Sequence, residues 1–345
     1  MTNVDMSNDT ESSQPEKNSA VQNALIAGRP TRGFWRDAAR YLLRRPLAIA
    51  CALYLAILLA VALFPQAIAP LPFDQTSFAD KLVAPGAFAS GEKMAGHRYL
   101  LGADRLGRDL FSRLIYGTRI SIAVAFIGAA VSFLIGVGYG LTAGYASARV
   151  DNWMMRAVDV IYGYPTLILV ILLQVYFTAI AHQDASQTSG FQRAVIELSD
   201  RTGGLFFVFV AIGAVSWLNM ARLTRGQVLY YRNQEFVQAA RAVGVPDRGI
   251  LWRHLLPNVI GPCIVAETLA IPSYIYSEAF LSFIGLGVQP PTPSWGEMIS
   301  DGYGALRSAP HIIIFPALAL FLTMLAFNFL GDTIRDAMDP RTRGR

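Results

Sequence analysis

Two carboxylates, Glu267 and Glu278, stand in a stretch that is otherwise mostly apolar. An ionisable group inside such a stretch is costly and is a functional candidate from the outset. The two are eleven residues apart, about three helical turns, so a helix puts them on one face. Such a face could line a polar cavity and meet a cation. It could equally hold buried carboxylates bonded to a neighbouring helix. The four histidines, His97, His182, His254 and His311, are scattered and show no metal-ligand spacing. Cys51 and Cys263 both lie in apolar runs and make no disulfide framework. None of the three lysines, Lys17, Lys81 and Lys93, follows a glycine. The phosphate-binding pattern G-x-x-x-x-G-K-S/T is therefore missing. No nucleophile–base or metal constellation replaces it, which sets enzymes well behind other classes.

The elements that would carry these groups are read from hydropathy. Of 345 residues, 53% are hydrophobic and 15% charged, against about 25% charged in an ordinary soluble domain. A spanning helix needs about 20 apolar residues. Six stretches qualify: 46–64, 120–145, 162–181, 205–221, 259–286 and 311–330. The predicted fold is an all-α polytopic membrane protein with six transmembrane helices. The flanking parts are a polar tail (1–28) expected to be disordered, an external loop (65–119), and a C-terminal segment (332–345). Residues 120–331 form the main body. With both termini in the cytoplasm, the cytoplasmic segments hold 19 Lys and Arg and the outer loops 10. That is the sense of the positive-inside rule. The net charge of +5 fits basic loops and suggests no nucleic-acid partner. Arg32, Arg36, Arg40 and Arg44 recur every four residues, so 29–45 reads as a basic helix lying on membrane lipids before the first span. In the second span Gly128, Ser132, Gly136, Gly140 and Gly144 form a ridge of small residues, where another helix can approach closely.

Between the fourth and fifth spans, 222–257 is too long for a plain connector. Phe236, Ala239, Ala240 and Val243 are predicted to share one face of a short helix starting at Glu235. Gly244, then Pro246, is a stop signal. Asp247 can cap a second helix running to Leu256, and Pro257 opens the fifth span. A DNA-binding helix-turn-helix has the same outline, but its place between two spans argues against that.

Here the chain resembles a family. Gln238-Ala239-Ala240, Gly244 and Leu256-Pro257 match the spacing of the cytoplasmic "EAA" loop of bacterial ABC-importer membrane subunits, with Gln238 where the general motif has Glu. Leu101-Gly102-Ala103-Asp104 with Leu106-Gly107-Arg108-Asp109, the run from Phe283 to Gly296, and Gly331-Asp332 with Arg335-Asp336 and Asp339-Pro340 are similar to the second permease subunit of dipeptide/oligopeptide (and nickel) importers. The resemblance covers about 29–345. It implies a type I importer membrane subunit, N-in and C-in, in the bacterial inner membrane. It implies that Glu235, Gln238, Ala239, Ala240, Arg241, Gly244, Leu256 and Pro257 belong to a coupling loop that docks on an ATPase. The implied partners are a second permease in a heterodimer, two ATPase subunits and an extracytoplasmic solute-binding protein. ATP and Mg would sit on the ATPases, leaving this chain without a cofactor. Peptide is the implied cargo, with nickel chelate, glutathione or modified peptide as alternatives. Outside the family, a secondary transporter driven by an ion gradient is the main rival. It predicts inverted halves with broken helices, and the sequence shows no inverted repeat. A membrane scaffold without transport would not need the long loop.

Overall fold

The computed structural model describes residues 41–91, 94–181, 190, 192–193, 196–197 and 205–338. The expected tail, the stripe positions Arg32, Arg36 and Arg40, His182, and Asp339-Pro340 lie outside the described residues. So does most of 182–204.

Helix α1 (Pro46–Leu63) starts with Pro46 at a position that needs no N–H donor, and Pro65 follows its end. Helix α2 (Leu110–Tyr145) is started by Asp109, whose Oδ2 accepts from the Ser112 N–H at 2.8 Å. Then come α3 (Ala148–Tyr162), α4 (Thr166–Ala181), α5 (Leu205–Tyr231) and the short α6 (Glu235–Ala242). A turn at Asp247–Gly249 and a wide π-turn at Ile250–Leu255 lead into α7 (Leu256–Phe283). Helices α8 (Trp295–Tyr303) and α9 (His311–Met338) close the described chain. Among the described residues there is no strand, only two isolated bridges, Phe88 with Arg98 and Ala103 with Asp109.

Five helices are long and apolar enough to cross a membrane. A sixth crossing exists only if α3 and α4 are counted together, and they meet at a bend of 81°. The expected third span therefore begins at a corner: 162–181 straddles the junction, and only α4 runs on from it. Helix α5 continues ten residues past the expected end at 221, because its extra charges have partners. Arg222 meets Asp159 at 2.6 Å, and Arg225 grips both oxygens of Asp151 at 2.5 and 2.7 Å. Hydropathy reads those arginines as an end, while paired charges let the helix go on. Likewise α2 begins at Leu110 rather than 120, α7 ends at Phe283 rather than 286, and α9 runs on to Met338.

The small-residue ridge of α2 meets α5 of the same chain. A methyl group on Gly140 would lie 2.5 Å from the Ala221 carbonyl oxygen, and one on Gly136 2.5 Å from the Met220 Cβ. Ser132 Oγ lies 3.2 Å from the Ser216 carbonyl oxygen. The backbones approach because these positions carry almost no side chain. Helix α1 lies at the edge of the bundle against α9, with Tyr54 and Thr323 hydroxyls 3.1 Å apart.

Candidate functional site

Helix α6 stands at one end of the bundle and ends in a complete Schellman cap. The Val245 N–H donates to the Ala240 carbonyl at 3.1 Å and the Gly244 N–H to the Arg241 carbonyl at 3.0 Å. Gly244 has φ +79°, the left-handed region that a side chain disfavours. Nothing lies within 4 Å of where its Cβ would be, so backbone conformation alone calls for glycine.

The two faces of α6 differ from the expectation. Val237 and Ala240 point inward and are buried. Phe236, Ala239 and Val243 point outward, with Val243 81% exposed. Ala240 thus leaves the predicted face, and Val237, which the pattern did not single out, holds the helix down. It joins an apolar cluster with Val137 and Leu141 of α2, Met220 and Val228 of α5, and Val259 of α7. Glu235, Gln238 and Arg241 are exposed. Gln238 Nε2 donates back to the Asn233 carbonyl at 3.2 Å. Arg241 lies over the Tyr145 ring at 5.6 Å, and the Tyr145 hydroxyl donates to Asp247 Oδ1 at 2.5 Å. Asp247 makes no side-chain cap; Pro246 occupies the capping position, and Asp247 instead ties the turn to the end of α2. Leu256 and Pro257 form the first turn of α7, Leu256 half-buried and Pro257 exposed.

The two candidate carboxylates have different surroundings. Glu267 lines a cavity of about 380 Å³ between α2, α4, α5 and α7. Its oxygens accept from Ser132 Oγ at 3.0 Å and the Tyr274 hydroxyl at 2.8 Å. Glu278 is fully buried and accepts from Ser121 Oγ at 3.2 Å and Ser282 Oγ at 2.7 Å. It does not border the cavity.

A third group was not flagged in the sequence. At the opposite end of the bundle, Arg113 of α2 meets Glu297 of α8 at 2.8 Å and Asp104 at 3.4 Å. Arg108 meets Asp104 at 2.5 Å and Asp301 at 2.8 Å. The two segments quoted separately for the family likeness, around Asp104 and around Trp295, are therefore one joint. Burial holds the Glu297 carboxyl above its ordinary range, against the pull of Arg113. Nearby, Asp80 is buried but accepts from Ser77 Oγ, Ser90 N–H, Gly91 N–H and the Tyr99 hydroxyl. Burial alone would raise its carboxyl; those four hydrogen bonds together hold it below the ordinary 3.8. Burial, then the charge of Asp80, pushes the Tyr99 hydroxyl up to about 12, so it remains a donor. Among the described residues no group of three or more His, Cys, Asp or Glu is placed to hold a metal ion.

Comparison with known proteins agrees with this arrangement. Residues 136–344 match the model of the binding-protein-dependent transport system inner membrane component, and 33–85 match the N-terminal TM domain of oligopeptide transport permease C. The chain is 37% identical to the oligopeptide transport system permease protein OppC of Haemophilus influenzae over 312 residues, 90% of each chain. It is 36% identical to the dipeptide transport system permease protein DppC of Bacillus subtilis, over 97% of this chain and 98% of the relative. It is also 36% identical to the glutathione transport system permease protein GsiD of Pectobacterium atrosepticum, over 92% and 95%. With its membrane-crossing helices and the exposed, capped α6 between two of them, this chain belongs to the family of binding-protein-dependent transport system inner membrane components.

Proposed function

We infer that this chain is the second permease subunit of an ATP-driven peptide importer in a bacterial inner membrane. It pairs with a different permease, two ATPase subunits bind from the cytoplasm, and a solute-binding protein delivers cargo from outside. The chain crosses the membrane six times, with α3 and α4 together as the third crossing and both termini in the cytoplasm. The observation that carries this reading is α6. It exposes an apolar stripe, Phe236, Ala239 and Val243, while Val237 ties it to α2, α5 and α7. A domain gripping the exposed stripe moves three spans at once. ATP binding can then bias a helix packing with two stable arrangements. Hydrolysis takes place on the ATPases, and this chain supplies the path, with the Glu267 cavity on it.

The test is copurification from native membranes with a tagged chain. A second permease and ATPases are expected with the parent, and Ala239→Glu, which puts a charge on the exposed face, should lose the ATPases. Ala239→Glu that keeps the ATPases bound would sink the docking assignment. Glutathione as cargo rests on the GsiD likeness alone; transport by the reconstituted complex with its binding protein separates it from peptide.

A further inference from the structure

We propose that the cavity between α2, α4, α5 and α7 is a binding site for a primary ammonium group, with Glu267 as its anion. Elsewhere in the chain, buried carboxylates of charged clusters meet cations: Asp104 has Arg108, Asp151 has Arg225, and Glu297 has Arg113. Glu278 and Asp80, without one, are closed in by neutral donors, serine hydroxyls around Glu278 and Ser77, Tyr99 and two backbone N–H groups around Asp80. Glu267 takes part in none of the ion pairs among the described residues. Its two bonds come from neutral hydroxyls, one to each oxygen. A carboxylate offers about four acceptor sites, so acceptor capacity remains. Among the described residues it is also the only carboxylate on the cavity wall. An ammonium entering the cavity brings the opposite charge that this stretch of helix lacks.

The rest of the wall suits an amine that carries an apolar group. Leu167 and Val170 of α4 and Ile212 and Val215 of α5 give an apolar side. Asn219, Ser273 and Ser277 give a polar rim, with Asn219 and Ser273 exposed and Ser277 half-buried. Polar groups exposed at mid-helix in an apolar span face a water-filled path or a second subunit more readily than lipid. A volume of about 380 Å³ falls in the range of small-molecule sites. Under the peptide-import reading, on which this last step rests, the ammonium is the amino end of the cargo.

The experiment reads the charge preference of the cavity directly. Ser273→Cys is introduced into the full complex in proteoliposomes, and the parent supplies the blank because its Cys51 and Cys263 are buried. Labelling rates are measured with cationic aminoethyl and anionic sulfonatoethyl methanethiosulfonate, each normalised to free cysteine. The cation is expected to react at least tenfold faster, and Glu267→Gln should bring the ratio near unity while Glu267→Asp keeps most of it. Ala-Ala should slow the cationic reagent, and N-acetyl-Ala-Ala should not. A ratio near unity in the Glu267 protein, an unchanged ratio in Glu267→Gln, or no labelling at all overturns the site. Equal effects of the two dipeptides overturn the amino-end assignment. Failure of peptide transport with the ratio intact overturns the import reading and leaves the cation site standing.

Discussion

Substituting Gly244 by Asn, Ala and Val isolates backbone strain in the coupling loop. The residue sits at φ +79° with no neighbour within 4 Å of a Cβ. Steric clash therefore contributes nothing, and the cost is conformational. An L-residue in the left-handed region costs about 1–2 kcal/mol. Asn costs less, because its side chain bonds locally there, and Val costs more because of its β-branch. Against this stand the two cap hydrogen bonds at 3.0 and 3.1 Å, worth about 0.5–1.5 kcal/mol each. Ala thus consumes much of the cap's stability, and Val exceeds it. Each 1.4 kcal/mol shifts the capped-to-open ratio by about tenfold. Once the cap opens, α6 no longer hands its motion to Val237 and the spans. The assay is ATPase stimulation by cargo-loaded binding protein in proteoliposomes containing the whole complex. Stimulation should fall in the order Gly, Asn, Ala, Val, with unchanged amounts of chain in the membrane. Full stimulation with Gly244→Val would refute the reasoning. So would a loss with Asn equal to that with Val, which would mean that any side chain there blocks docking.

Three further outcomes are expected. Arg113→Ala leaves the buried Glu297 without its cation, while Asp104 keeps Arg108; losing one partner of a buried pair costs about 3–5 kcal/mol. Arg113→Lys should not restore it, because one ammonium cannot reproduce the guanidinium fork; both are read as lower unfolding temperatures of the purified complex, and an unchanged value would contradict the joint. A double-mutant cycle on Asp151 and Arg225 should show a coupling of about 1–3 kcal/mol, the upper limit of ordinary neighbour coupling; the pair is bidentate but Arg225 is partly exposed, and a coupling near zero would free α3 from α5. The Asp80 carboxyl is held below its ordinary 3.8, so its contribution is complete above that value and is lost only as pH falls through the lower, folded value. Amide exchange at Ser90 and Gly91, corrected for intrinsic rates, should therefore match at pH 7 and pH 5 and loosen only in stronger acid; loosening already between pH 7 and 5 would show that Asp80 is not the anchor.

Much of this protein was written in one dimension. Length of apolar run marked α1, α2, α5, α7 and α9, because twenty apolar residues have few fates other than a bilayer. Gly244 and Pro246 marked the end of α6, because a left-handed residue and a missing donor act through the local chain. The small ridge of α2 announced a close helix contact for the same local reason. What it touched was a different matter: α5 brings Met220 and Ala221 to Gly136 and Gly140, and α7 brings Tyr274 to Gly128. The extension of α5 past Arg222 and the corner between α3 and α4 were invisible to hydropathy, which counts charges but does not see that Asp159 and Asp151 meet them. Glu267 and Glu278 looked alike in sequence, eleven residues apart on one helix. Packing separated them, placing one on a cavity wall and the other among serines from α2 and α7. The same applies to Val237 and Ala239, two residues apart, one held inside and one left outside. Local chain chemistry set where helices start and stop; partners distant in sequence decided which face is inside and which charges are satisfied, because burial and pairing are properties of the assembled bundle.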